Sequence, residues 1–131
     1  MEVVPHVGIG NIRLGMSREE ADWLRDNTIQ VDSAGSPPVV TFVQASWRSG
    51  ATYRGLGLFD ASAVAVIAAL VELEGLNPAD YPPGKHTYQF PTLNLVLWRG
   101  HVSDDNPNDR QGYYFQCVSV HAPGYYDRAA R

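Results

Sequence analysis

The chain is poor in the residues that most often announce a chemistry. Cys117 is its only cysteine, so no disulfide can form within its 131 residues. That cysteine stands in an alternating run, Tyr114-Phe115-Gln116-Cys117-Val118-Ser119-Val120, which predicts a small packed hydrophobe rather than a nucleophile. Lys85 is the only lysine, and arginine supplies the other side-chain positive charges, a bias that a GC-rich coding genome explains before any need for guanidinium geometry. The formal net charge is −4, which leaves no basic face of the kind a nucleic acid requires. The longest apolar run, residues 61–73, is too short to cross a bilayer. The opening Met1-Glu2-Val3-Val4-Pro5-His6 has neither the basic nor the apolar region of a secretory signal. These absences exclude nucleic-acid and membrane partners from the expected set and place the chain in the cytoplasm.

Apolar residues, by contrast, are plentiful. At 44% hydrophobic and 11% aromatic, the chain can bury one core as a single domain spanning residues 1–131, without a metal or cofactor. Ser17 and Glu20 fit a capping box, with Met16 placed to staple against Ala21, and the helix they open is expected to stop near Asn27. Strands are expected over residues 28–34, 39–47 and 52–58, with Gly35-Ser36-Pro37-Pro38 as a turn and Gly55 and Gly57 weakening the third. Asp60 is the expected N-cap of a second helix over residues 61–74, apolar nearly all round, which Gly75 terminates. A proline-rich loop, residues 76–85, leads to strands over 86–90, 93–99 and 113–121. Residues 103–112 hold a cluster of turn formers and read as a mobile surface loop, and the chain beyond Asp127 is expected to fray.

Familiar site patterns fail on inspection. Gly8-Ile9-Gly10 lacks a third glycine, since Arg13 holds that position, and Gly84-Lys85 lacks its upstream glycine and its following Ser or Thr. Read from Asp104, a calcium loop would need glycine at Asp109 and glutamate at Phe115. His6, His86, His101 and His121 lie on separate segments without the spacing of a metal site, and His101 with Asp104 is at most a partial one. Cys117 and His121 on one strand would sit about 13 Å apart, too far for a dyad. No catalytic, cofactor or metal residues are therefore assigned.

What remains is an excess of Trp, Tyr and Arg at predicted strand ends: Trp47, Arg48, Trp98, Arg99, Tyr125 and Tyr126. Core closure and partner contact account for these aromatics about equally well, and Trp, Tyr and Arg carry most hot spots in protein interfaces. Each Trp-Arg pair follows a helix and a run of β-forming residues. That order makes a divergent tandem repeat, with sub-repeats at 8–59 and 60–127, one reading of the chain.

The stretch Gly10-Asn11-Ile12-Arg13-Leu14-Gly15-Met16-Ser17-Arg18-Glu19-Glu20 resembles the G-x-x-x-L-G-M-S/T-x-E-E/Q opening of outer-membrane assembly lipoproteins of the SmpA/OmlA type and of beta-lactamase-inhibitor-protein-like repeats. Leu58-Phe59, Leu97-Trp98-Arg99 and Pro123-Gly124-Tyr125-Tyr126 are similar to elements shared by a set of small bacterial proteins. Unlike the lipoproteins, this chain has no lipidation cysteine near its start. The resemblance implies a non-enzymatic domain that presents a sheet to another protein. The expectation is thus an α+β fold, two helices on one face of a mostly antiparallel sheet, acting as a protein-binding module such as an inhibitor or immunity-type protein. A small-ligand binder or enzyme, with a pocket between the second helix and the sheet near His86, His101 and Tyr114, is the alternative. Homodimerisation through an edge strand is a third possibility.

Overall fold

A computed structural model describes residues 1–126, and the fraying expected beyond Asp127 lies outside that range. The fold is α+β. Three two-residue strands, β1 (Val3–Val4), β2 (Gly8–Ile9) and β3 (Ile12–Arg13), form a small antiparallel sheet ahead of helix α1 (Arg18–Leu24). A β-carbon on Gly8 would lie 2.0 Å from the Ile12 carbonyl oxygen, so close backbone approach, not phosphate binding, accounts for that glycine. Ser17 caps α1 by accepting the Glu20 amide at 3.1 Å.

Strands β4 (Ile29–Ala34) and β5 (Val39–Ser46) follow as a hairpin. The expected third strand is instead two short ones, β6 (Thr52–Tyr53) and β7 (Leu56–Gly57), reversed through Arg54 and Gly55, both at positive φ. Helix α2 spans Ala63–Glu74 and ends at Gly75 in the left-handed region. Its N-cap is Ser62, which accepts the Ala65 amide at 3.1 Å, and not Asp60. A hydroxyl one residue before the first helical position has the reach for that bond; Asp60 stands two residues farther upstream. Ala63, Val66, Ile67, Leu70 and Val71 are buried, while Val64 and Leu73 remain about 40% exposed, so α2 buries one stripe rather than its whole circumference. Glu74, at the unfavourable end of the helix dipole, is compensated by Arg54 at 3.1 Å and by the Tyr53 hydroxyl.

Strands β8 (Thr87–Phe90), β9 (Leu95–Trp98) and β10 (Cys117–His121) complete a five-stranded antiparallel sheet in the order β4-β5-β10-β9-β8. A third helix, α3 (Arg110–Tyr113), occupies residues expected to end a loop and begin a strand. The 103–112 loop is tethered at both ends. Asp104 binds Arg99, and Asp109 lies 2.6 Å from His101.

Pleating then divides the large sheet. Ile29, Val31, Val43, Ala45, Val118, Val120, Leu95, Leu97, Tyr88 and Phe90 point into one core with α2, Ala21 of α1, and Val3, Ile9 and Ile12 of the small sheet. A bulge at Thr41 keeps Val40 on that side despite its parity. Gln30, Asp32, Phe42, Gln44, Cys117, Ser119, His121, Val96, Trp98, Thr87 and Gln89 take the other face.

Candidate functional site

The face turned away from α2 carries the features that best suit a site. Its middle is floored by Val96 and Ser119, both buried, while Trp98 at one end is 43% exposed and Tyr126 at the other 42%. Between them lies a trough of about 420 Å3, bordered also by Phe42, Gln44, Thr87 and Gln89. The border is neutral amide and hydroxyl with aromatic walls, a mixture suited to protein surfaces rather than to ions.

Tyr125 and Tyr126 reach this face because the chain turns at Pro123-Gly124 directly after β10. The Tyr125 ring stacks on Phe42 with centroids 5.1 Å apart and planes within 19°. Its hydroxyl donates to the Asp32 carboxylate on β4. Burial, then the Asp32 hydrogen bond and charge, push the Tyr125 phenol up to about 12. Tyr126 stands edge-on to His121 at 4.7 Å. Burial, followed by the charge of His6, holds His121 below the usual imidazole range. Burial likewise pushes the Cys117 thiol up, away from the thiolate a nucleophile needs.

Trp47 and Arg48 occupy a turn just beyond β5, at the same end of the sheet as Trp98. The Trp47 amide donates to the Gln116 carbonyl, and the Gln116 amide donates to the Trp98 carbonyl, each at 2.8 Å. Both residues are exposed. The Arg110 guanidinium sits 4.4 Å from the Trp47 ring centroid and 4.6 Å from that of Tyr114, an arginine held between two aromatics.

Arg99 does not belong with these residues. It is wholly buried, its Nε donates to the Lys85 carbonyl at 2.9 Å, and its Nη1 donates to the Gly112 carbonyl at 2.8 Å and to Asp104 at 2.5 Å. A guanidinium spent on holding two loops cannot face a partner, so Arg99 is withdrawn from the partner-contact set. Of the six residues expected there, Trp98 and Tyr126 border the trough, Tyr125 stacks on Phe42 of its border without lining it, and Trp47 with Arg48 lies at the Trp98 end of the sheet. Phe42, Gln44, Gln89 and Arg110 had not been singled out. Strand parity could have found the first three once the register was known.

A second, larger concavity of about 600 Å3 lies on the helix side. It is lined by Val64, Ala68 and Val71 of α2, by Pro78 and Tyr81 of the proline-rich loop, and by Tyr88 of β8. His86, His101 and Tyr114 are not among its walls. Among the described residues, no group of three or more His, Cys, Asp or Glu side chains is placed to hold a metal ion, and no helix is long and apolar enough to cross a membrane.

No family model, curated protein or solved structure matches the chain.

Proposed function

We propose that the chain is a non-enzymatic protein-binding module, cytoplasmic in location, that presents the trough face of its large sheet to another protein. The observation that carries this reading is the pairing of two half-exposed aromatics, Trp98 and Tyr126, across a trough whose floor is already buried. Large aromatics held over a buried floor lose little side-chain entropy on binding and exclude water when covered, which is how interface hot spots gain their energy. The likeness of residues 10–20 to assembly-lipoprotein and inhibitor-type domains favours the same role, an inhibitor or immunity-type protein being the form it implies. Co-purification from native cell extract tests it, with the unaltered chain and Trp98→Ala compared side by side. The reading requires a stoichiometric protein on the former that is depleted at least tenfold on the latter.

A second reading rests on the concavity beside α2. Its volume and apolar walls suit a small hydrophobic ligand. Ala68→Trp would fill it, and loss of thermal stabilisation by such a ligand in that variant alone would favour this reading over the first.

A further inference from the structure

The two edges of the large sheet are unlike. At β4, the residues that hydrogen-bond to β5 alternate with residues whose amides and carbonyls point outward. The Ser46 amide donates to the Thr28 carbonyl, which makes Ile29 and Val31 the outward residues. Both outward carbonyls are occupied. Arg25 Nη1 donates to the Ile29 oxygen and Arg18 Nη1 to the Val31 oxygen, each at 3.3 Å, while Asp22 holds both guanidiniums through their Nε atoms at 3.1 and 3.0 Å. Helix α1 thereby blocks this edge against a further strand.

At β8 the same alternation leaves the edge open. The Arg99 amide donates to the His86 carbonyl at 2.8 Å, so His86, Tyr88 and Phe90 bond inward to β9. The pairing on the far side of β9 agrees: the His121 amide donates to the Asn94 carbonyl at 3.0 Å, which turns Val96 and Trp98 toward β10. Thr87 and Gln89 therefore carry their amides and carbonyls outward, and among the described residues nothing bonds to them. Gln89 is exposed.

We infer that the outward backbone of Thr87 and Gln89 is a docking edge for an extended segment of a partner protein, which adds to the sheet as a sixth strand beside β8. The inference rests on the protein-binding reading above and names its mode. The complementary chemistry is a row of main-chain donors and acceptors, which an extended polypeptide supplies. Partner residues opposite Thr87 and Gln89 share their face and extend the border of the trough that Trp98 dominates. A partner residue opposite Tyr88 takes the helix side, where Tyr88 lines the apolar concavity, and an aliphatic residue fits there. A second copy of this chain fits less well. Its β8, paired antiparallel about Tyr88, would bring up another tyrosine already buried and bonded to the Pro82 carbonyl, leaving the concavity unfilled.

Selection of a phage-displayed library of random linear dodecapeptides on the full chain, followed by amide hydrogen exchange, tests the inference. In the free chain the Thr87 and Gln89 amides should exchange at least tenfold faster than those of Tyr88 and Phe90, and a selected peptide should slow them at least tenfold. Gln89→Pro removes one outward donor without touching the ladder to β9 and should bind at least tenfold more weakly than Gln89→Ala, which loses the same trough-bordering side chain but keeps the donor. The inference is overturned if no peptide is selected, if Gln89→Pro binds as well as Gln89→Ala, or if both outward amides are already protected in the free monomer. A dimer dissociated by Gln89→Pro would also overturn it, in favour of a second copy. Should Gln89→Pro fail to fold, the exchange rates of the unaltered chain decide. A natural partner lost by Trp98→Ala but kept by Gln89→Pro would leave the trough reading standing and remove only the strand-addition mode.

Discussion

Arg99 donates to Asp104 at 2.5 Å from a position with no exposed surface, while its neighbour Trp98 stands nearly half in solvent. One turn of the pleat separates a structural tie from a surface anchor. The two residues should therefore respond in opposite ways to substitution.

Arg99→Ala leaves Asp104 without its cation and the Lys85 carbonyl without a donor, and leaves the Gly112 carbonyl with the Ser103 amide alone. Asp104 itself reaches solvent and can be rehydrated, so the cost, about 2 kcal/mol or more, comes from the emptied guanidinium site and its lost hydrogen bonds. Chemical denaturation should show a loss of that size. Arg99→Lys should recover only part of it, since a single ammonium cannot reproduce the three-way fork.

Trp98→Ala should change stability by less than about 1 kcal/mol, because its side chain lies on the sheet surface, and should weaken a trough partner by about 2 kcal/mol. Denaturation and a binding titration on the same variant separate the two effects. A collapse in stability would move Trp98 from the surface to the core.

The position of the α2 cap gives a third test. Ser62→Ala should cost about 1 kcal/mol through loss of the bond to the Ala65 amide, and Asp60→Ala distinctly less. Urea midpoints of the two variants rank them.

The Tyr125 phenol contributes a pH effect whose sign follows from its direction. Its folded value, about 12, lies above the ordinary tyrosine value of 10, so the neutral form is favoured by folding. The stabilisation is complete below pH 10 and is lost as the pH rises from 10 through 12. Ultraviolet titration of the phenolate should place Tyr125 in that window. Asp32→Asn should lower its value part of the way, since burial is the larger cause and remains.

Much of the fold was legible in local chemistry. Ser17 and Glu20 marked the start of α1, Gly75 the end of α2, and the Val- and Thr-rich stretch at 39–47 became β5 less its last residue. The misses share a cause, which is that local patterns do not report partners distant in the chain. Arg99 looked like a surface arginine beside a tryptophan because nothing local placed Asp104 and Gly112 around it. Nothing local marked Phe42 as facing away from α2; the register of β5 against β10 puts it there, and Tyr125, more than eighty residues later, stacks on it. The three small strands at the start are too short to leave a periodic signal. The site was legible as residue types, Trp98 and Tyr126 among them, but their convergence on one face depends on the register of β9 against β10.

The most direct test of the account is quantitative co-purification from native extract with three baits: the unaltered chain, Trp98→Ala and Ser62→Ala. The last is a folded control whose change lies on the opposite side of the sheet. The account predicts one stoichiometric protein on the unaltered chain and the control, depleted at least tenfold on Trp98→Ala. Equal recovery on all three baits, or no stoichiometric protein on any, would contradict it.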